Sequence, residues 1–480
     1  MTDVMTVRRA ATLERVFGLS VVLVGVGIGA RKLGDNSFLT HLATGRQMLD
    51  HGIVREDVFT WTSAGESVVV QSWLASLLYG LVDQLGGFHG LRLLMTVSTG
   101  ALAGLLWLLT SRNSSLLMRV GMMVPTLWIG LYAWTERPLL IALVLLALML
   151  VIAEGRGDPR WLVLVGVLWI SVHGSWPLGL VILGARWFGS RIDRVAVGES
   201  VTAEWRDRDA TSTIWLSTGV LIAGIVNPYG PRLLLFPFDL LGRQETLGHV
   251  AEWQASGFES TWTRAFLVLV VVIVIAARRA TWQKIVPTLV IVVMALLSAR
   301  NISVAVVTML PLLGEGLPQP RPSDRSYTSS AVHLACLALA ALVIALPLIA
   351  VRGPHVDMDR YPVKAVNAME GMGLSPAEVP VVHQDFVGNY LDIRYADAGA
   401  SWIDDRYELH DAKLVDDYLT LLDGAPSWND VLAEYDPTAI LWPTDRVLVS
   451  LAVGTGEWTV AWHDDDWTVL CSVAATECPP

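Results

Sequence analysis

The sequence predicts a polytopic, all-α membrane protein with about eleven transmembrane helices, a long first outer loop and a small C-terminal extracytoplasmic α/β domain. Three observations predict it. Hydrophobic residues make up 53% of the 480 and charged residues only 16%, against roughly 25% charged in soluble domains. Apolar segments approaching the roughly 20 residues that cross a bilayer recur through the first 351 residues. Residues 352–480 then change character, with 23 Asp or Glu against 7 Lys or Arg. The formal net charge of −11 argues against nucleic acid as a partner, and three cysteines are too few for a disulfide framework.

The expected spans lie near residues 14–30, 89–110, 115–134, 138–154, 160–173, 175–189, 212–227, 264–278, 284–300, 302–317 and 331–351. The fifth and sixth come from one apolar stretch interrupted by His173-Gly174-Ser175-Trp176-Pro177. Pro and Gly disfavour a continuous helix there, so two short spans meeting at a turn are expected. With the N-terminus in the cytoplasm, the inner segments carry 17 Lys or Arg and the longer outer segments before residue 352 carry 10, as the positive-inside rule requires. An odd number of spans places residues 352–480 outside a plasma (inner) membrane. The first span reads as an uncleaved signal anchor, since the chain continues as membrane protein.

The outer loop, residues 31–88, is long enough to have a purpose of its own. Asp35 is expected to cap a helix over 36–51 that buries Phe38, Leu42 and Leu49 and ends at Gly52. Residues 69–86 form a second amphipathic stretch, read as interfacial. In the C-terminal domain, residues 379–382, 439–442 and 458–462 read as strands, and 412–422 and 427–435 as helices. Cys471 and Cys478 can pair there, whereas Cys336 reads as a small core residue inside a span. Residues 315–330, rich in Pro and Arg, read as an inner linker.

Ionisable residues at membrane depth are costly and point to function. Several fall at the outer boundary of the expected topology: Asp35, Glu136, Arg137, His173, Asn227, Tyr229, Arg232, Glu252 and Arg300. Each also has an ordinary role. Arg137 before Pro138 can snorkel to headgroups, Asn227-Pro228-Tyr229-Gly230 is a turn, and Arg300 marks a helix end. Together, however, they offer a carboxylate to accept a hydroxyl proton and guanidiniums to grip a lipid phosphate through bidentate forks. That combination suits sugar transfer from a polyprenyl phosphate carrier.

The same residues carry a resemblance. GDNSFLTHLATGRQMLDHG (34–52), with the loop that follows it to residue 87, resembles the first outer loop of bacterial membrane proteins similar to the lipid-carrier-dependent, C-superfamily (GT-C) glycosyltransferases. The likeness continues through TERPLLIALVLL (135–146), SVHGSWPLGLVILG (171–184), NPYGPRLLLFP (227–237), AEWQASGF (251–258), SARNISVAVVTMLPLL (298–313), GNYLDIRY (388–395) and SWIDDRYELHD (401–411). It implies a helical bundle around a lipid-facing cavity, with an acid in the first loop as catalytic base or metal ligand. Asp35 occupies that position, Glu136 matches a second acidic position, and Asp57 is a further candidate acid. His41 and His173 would orient donor or acceptor. The chain departs from the group's pattern at Ser37, where a second acid is usual, and at Gln71-Ser72, where His-Glu is usual.

Three readings follow. The first is a membrane glycosyltransferase that moves a sugar from a polyprenyl-phosphate donor to a cell-envelope acceptor, with Asp35 as base, Arg137, Arg232 and Arg300 on the phosphate, and a divalent metal left open. The second, which the departures favour, is a non-catalytic assembly or scaffold protein whose acidic domain binds an envelope protein or glycan. The third, a lipid-linked glycan transporter, is disfavoured because no repeated halves are visible.

Overall fold

The computed structural model describes residues 13–199, 207–242, 254–319, 330–350 and 355–478. It divides into two compact units: Met1–Leu33, Leu85–Gly230 and Ala251–His355 form the first, and Gly34–Gln84, Pro231–Val250 and Val356–Pro480 the second.

The first unit is a helical bundle of α1 (Leu13–Gly29), most of α3 (Trp73–Leu109), α4 (Leu116–Ala133), α5 (Pro138–Ala153), α6 (Leu162–Val172), α7 (Trp176–Ala196), α8 (Arg208–Ile225), α10 (Thr261–Ala276), α11 (Trp282–Leu297), α12 (Ile302–Gly316) and α13 (Ser330–Ala350). Short polar side chains start several of them. Ser115 Oγ accepts the Met118 N–H at 3.3 Å and Ser260 Oγ the Thr263 N–H at 3.3 Å, each satisfying an orphan donor of the first turn. Helix α12 is the centre, with every residue but Glu315 buried. Helices α6 and α8 cross backbone to backbone at Gly166 and Gly219, where a Cβ would collide with the opposite main chain. One end of the bundle is tied by buried ions. Arg186 of α7 donates to Glu154 at 2.7 Å and to Asp209 of α8 at 3.1 Å, and Lys284 of α11 donates to Glu315 of α12 at 2.6 Å.

A helix stands at each segment expected as a span, but not every one has the length of a full crossing. Among the described residues, three helices, Trp73–Leu109, Leu116–Ala133 and Ser330–Ile349, are long and apolar enough to cross a membrane, and four others are apolar but shorter. Sixteen residues rise only about 24 Å, short of a ~30 Å hydrocarbon core. The expected turn at 173–175 is present: α6 ends at His173, which is extended, and α7 begins at Trp176. The stretch 69–86 and the span after it are instead one helical run, α3, broken at Gly87 (φ 57°, ψ −155°). That conformation is open essentially to glycine alone. Cys336 is half-buried, not core, on a helix that exposes Leu334 and Leu337.

The second unit joins the outer loop to the C-terminal region. Its four-stranded sheet has the order β1 (Val381–His383), β2 (Ala439–Pro443), β4 (Trp467–Ser472), β3 (Trp458–His463), with β1 parallel to β2 and the other pairs antiparallel. Strand β4 is absent from the sequence expectation, as are α14 (Val363–Gly371), α15 (Asp385–Tyr395) and α18 (Val447–Thr455); α16 (Ala412–Asp423) and α17 (Trp428–Tyr435) stand where expected. Trp402, Trp442, Tyr418, Ile440 and Leu470 fill the core. Cys471 and Cys478 form a disulfide. From the outer loop, α2 (Ser37–His51) packs on α15. Trp61 N–H donates to Ser401 O at 2.9 Å, and Ser401 N–H to Phe59 O at 3.1 Å, so the loop adds a short parallel bridge. Phe38 and Leu42 are buried as expected, but Leu49 is 37% exposed, at the last turn of α2.

Candidate functional site

The first turn of α2 gathers the strongest group of polar side chains around an expected site residue. Asp35 does not occupy the capping position, which belongs to Asn36. Its Oδ1 nevertheless accepts the Ser37 N–H at 3.1 Å, the short Asx turn that a carboxylate makes two residues before an amide. From the C-terminal region, Asp405 Oδ2 accepts the Ser37 hydroxyl at 2.5 Å and the Asn36 amide at 3.4 Å. Asn389 of α15 holds both sides. Its Nδ2 donates to Asn36 O at 3.2 Å, and its Oδ1 accepts the Asp405 N–H at 3.0 Å. Tyr361 donates to Asn36 Oδ1 at 3.0 Å. Burial raises the Tyr361 hydroxyl above its ordinary pKa, and the charges of Asp35 and Asp405 add to that rise. Ser37, the position where the resembled group carries an acid, is thus itself hydrogen-bonded to one.

The same unit holds a buried ion cluster of which the sequence singled out only Asp57. Arg406 donates to Asp57 Oδ1 at 2.8 Å and to Asp404, and His410 Nε2 lies 3.2 Å from Asp404 Oδ1. Asp57 also receives the Thr60 hydroxyl at 2.5 Å and the Thr60 N–H at 3.2 Å. Beside them Asp392 Oδ1 is 2.6 Å from Ser401 Oγ. Burial and the neighbouring Asp404 charge push the Asp392 carboxyl well up, whereas Asp404, although buried, is held below the ordinary carboxylate range by Arg406 and His410. His383, fully buried, is pushed down to about 4 by desolvation, and its Nε2 accepts the Trp402 N–H at 2.8 Å. Asp392 lies in GNYLDIRY, and Asp404, Arg406 and His410 lie in SWIDDRYELHD, where a pair of acids followed by Arg between aromatics was the available signal.

Asp57 also lines a cleft of about 230 Å³ with Ser63, Glu66, Ser67, Arg232, Phe236, Asp239 and Glu408 among its walls. Arg232, on α9 (Pro231–Leu241), donates to Ser67 Oγ at 3.2 Å. It stands among several carboxyl groups, and burial raises that of Glu408. Such a field opposes a phosphate and suits hydroxyls or a cation.

The remaining expected residues divide between the units. His41 belongs with Asp35, and its Nδ1 lies 3.2 Å from Ser76 Oγ. In the helical unit, Asn227 is fully engaged in shaping its turn: its Nδ2 donates to Ala223, Gly224 and Gly230 carbonyls, each at 2.9 Å, and its Oδ1 accepts the Tyr229 N–H at 2.8 Å. Tyr229 and Glu136 are buried. His173 Nδ1 accepts the Ser175 N–H at 3.1 Å, which fixes the α6–α7 turn. Arg137 precedes the first turn of α5, and Arg300 sits in the short turn before α12; both are half-buried. Glu252 lies outside the described residues. Among the described residues, no three His, Cys, Asp or Glu side chains converge to hold a metal ion. No family model and no curated protein matches the chain.

Proposed function

We propose that the chain is a multi-pass membrane glycosyltransferase of the C-superfamily type, with its N-terminus in the cytoplasm and residues 356–480 outside. It moves a sugar from a polyprenyl-phosphate donor to a cell-envelope acceptor. The observation that carries this reading is the meeting of Asp35 and Asp405 on the two sides of Ser37: two carboxylates at one helix start, held by Asn36, Asn389 and Tyr361. Such a pair suits the removal of a proton from an acceptor hydroxyl, with Asp35 as base and Asp405 keeping the turn in place. Arg137 and Arg300 are the candidates for the donor phosphate, whose leaving charge a fixed guanidinium stabilises. Arg232, among acids, is better placed to orient an acceptor.

Asp35→Asn keeps the shape and removes the base. In a reconstituted assay with polyprenyl-phosphate sugars, it is expected to lower transfer by roughly 10²–10⁴-fold with an unchanged melting temperature. Transfer within threefold of wild type would overturn the role of Asp35. A second reading, a non-catalytic envelope assembly protein, is favoured by Asp57, whose carboxylate is spent on Arg406 and Thr60 and so fastens the loop. Complementation that survives Asp35→Asn but fails with Arg406→Ala would select it.

A further inference from the structure

The helical unit carries a second polar cavity, of about 190 Å³, that the transfer reading does not use. Its walls are Leu108, Leu109, Ser111 and Arg112 at the C-terminal end of α3 and just beyond it, with Val151, Glu154 and Arg156 at the C-terminal end of α5 and just beyond it. Its lining combines three apolar side chains with two guanidiniums, a hydroxyl and the carboxylate of Glu154. Arg112 is half exposed; it donates to Glu154 at 2.7 Å and lies 3.8 Å from Glu315. Arg156 is exposed and donates to Ser111 Oγ at 2.5 Å.

The field in this cavity is positive, although two helix C-termini, normally negative ends, border it. The carbonyls at those ends are already bonded. Arg119 donates to Trp107 O at 3.0 Å, and Arg208 donates to Ile152 O at 2.7 Å and to Gly157 O. Glu154, the one acid in the wall, is shared by Arg112, Arg186 and Lys284. Arg112, Arg186 and Lys284 share the three carboxylates Glu154, Asp209 and Glu315 among them, and the cavity wall carries two guanidiniums, Arg112 and Arg156, against the single acid Glu154. Exposed tryptophans flank the network in sequence. Trp161 is 64% exposed and Trp282 45%, and Trp187 follows Arg186 directly. Tryptophan at such positions marks the headgroup level of a bilayer.

We propose that this cavity binds the phosphate of an anionic membrane lipid, with the guanidiniums of Arg112 and Arg156 on the phosphate oxygens and Leu108, Leu109 and Val151 against the glycerol and first methylenes. The site is independent of glycosyl transfer and holds whatever Asp35 does. Arg156 does the binding that can be removed most cleanly, because it donates to one hydroxyl, Ser111 Oγ, and not to a buried acid.

The full chain is reconstituted in nanodiscs of phosphatidylcholine with 0 or a fixed minor fraction of phosphatidylglycerol, and lipid retention after delipidation is read by native mass spectrometry. Wild type is expected to retain phosphatidylglycerol over phosphatidylcholine. Arg156→Gln is expected to weaken that preference about fivefold, the effect of one basic side chain at an anionic surface. Arg279→Gln, an exposed arginine that does not line the cavity, is expected to leave it unchanged. Equal loss in both variants would mean bulk charge attraction and overturn the site, as would no preference in wild type. Protection by millimolar inorganic phosphate, equal to that by the lipid, would make the ligand a soluble phosphate and overturn the lipid assignment. Equal melting temperatures in pure phosphatidylcholine confirm that each variant is folded.

Discussion

Asp392 shows how much one buried proton decides. Ser401 has a single hydroxyl hydrogen, yet both Gly388 O at 3.1 Å and Asp392 Oδ1 at 2.6 Å lie within reach of its oxygen. A protonated Asp392 resolves the count by donating to Ser401 Oγ, which then donates to Gly388 O. Burial and the charge of Asp404 raise Asp392 for the same reason. A carboxyl raised in the fold stabilises fully below its unfolded pKa and loses that contribution as pH rises through its folded value. Each pH unit in that window costs about 1.4 kcal/mol. Asp392→Asn presents the same donor and acceptor without a titration. It is expected to raise stability at pH 7 and to flatten the decline above pH 4, read as melting temperature against pH in detergent. A variant less stable than wild type at pH 7 would show Asp392 to be ionised. None of this was legible in the sequence. GNYLDIRY supplies Asp392 and SWIDDRYELHD supplies Asp404, but their charge states follow from a contact between distant segments. That Asp35 serves the start of the helix after it was legible because the two are adjacent in sequence, although the capping position itself belongs to Asn36. Asp405 was not, because its partner Ser37 is joined to it only by the fold.

At the scale of elements, apolar pattern located the helices and missed how they are joined. Proline and glycine near 173–177 announced the α6–α7 turn, and the break in α3 at Gly87 lies in a Gly-Gly pair the pattern did not weigh. Strand β4 follows β3 after only three residues, Asp464-Asp465-Asp466, a hairpin that hydropathy alone does not separate from the acidic surface around it. The ionic ties between helices were likewise invisible, since Arg186, Glu154, Asp209, Lys284 and Glu315 come from five helices or their ends. These ties define a contrast. Asp209 is fully buried and accepts from Arg186 at 3.1 Å and from Gln283 at 2.5 Å. Asp209→Ala removes one of the two carboxylates that hold the buried Arg186 guanidinium and is expected to cost about 3–5 kcal/mol. Arg46→Ala breaks the pair with Asp83 on a side chain 39% exposed and is expected to cost less than about 1 kcal/mol. Melting curves of the two variants in one detergent make the comparison, and equal shifts would mean the inner network is not a structural tie.

For the molecule as a whole, the sheet and its disulfide bear on the side of the membrane that residues 356–480 occupy. Composition separated an acidic C-terminal region from an apolar remainder, and the structure adds the outer loop to that region through Phe59, Trp61, Ser401 and the Asp57–Arg406 pair. Hydropathy cannot reveal this joining, because it rests on pairing between segments far apart in the chain. Cys471 ends β4 and is bonded to Cys478, while Cys336 is a free thiol on α13. A structural disulfide persists in an oxidising compartment and is rare in the reducing cytosol. If the second unit lies outside, protein denatured without reductant takes up one maleimide per chain, at Cys336, and three after reduction. Cys336→Ser is then expected to abolish labelling before reduction and to leave two sites after it. Three labels before reduction would put the sheet in a reducing compartment, on the same side as the cytoplasm. The acceptor could then no longer be an outer-face envelope component, whatever chemistry Asp35 performs.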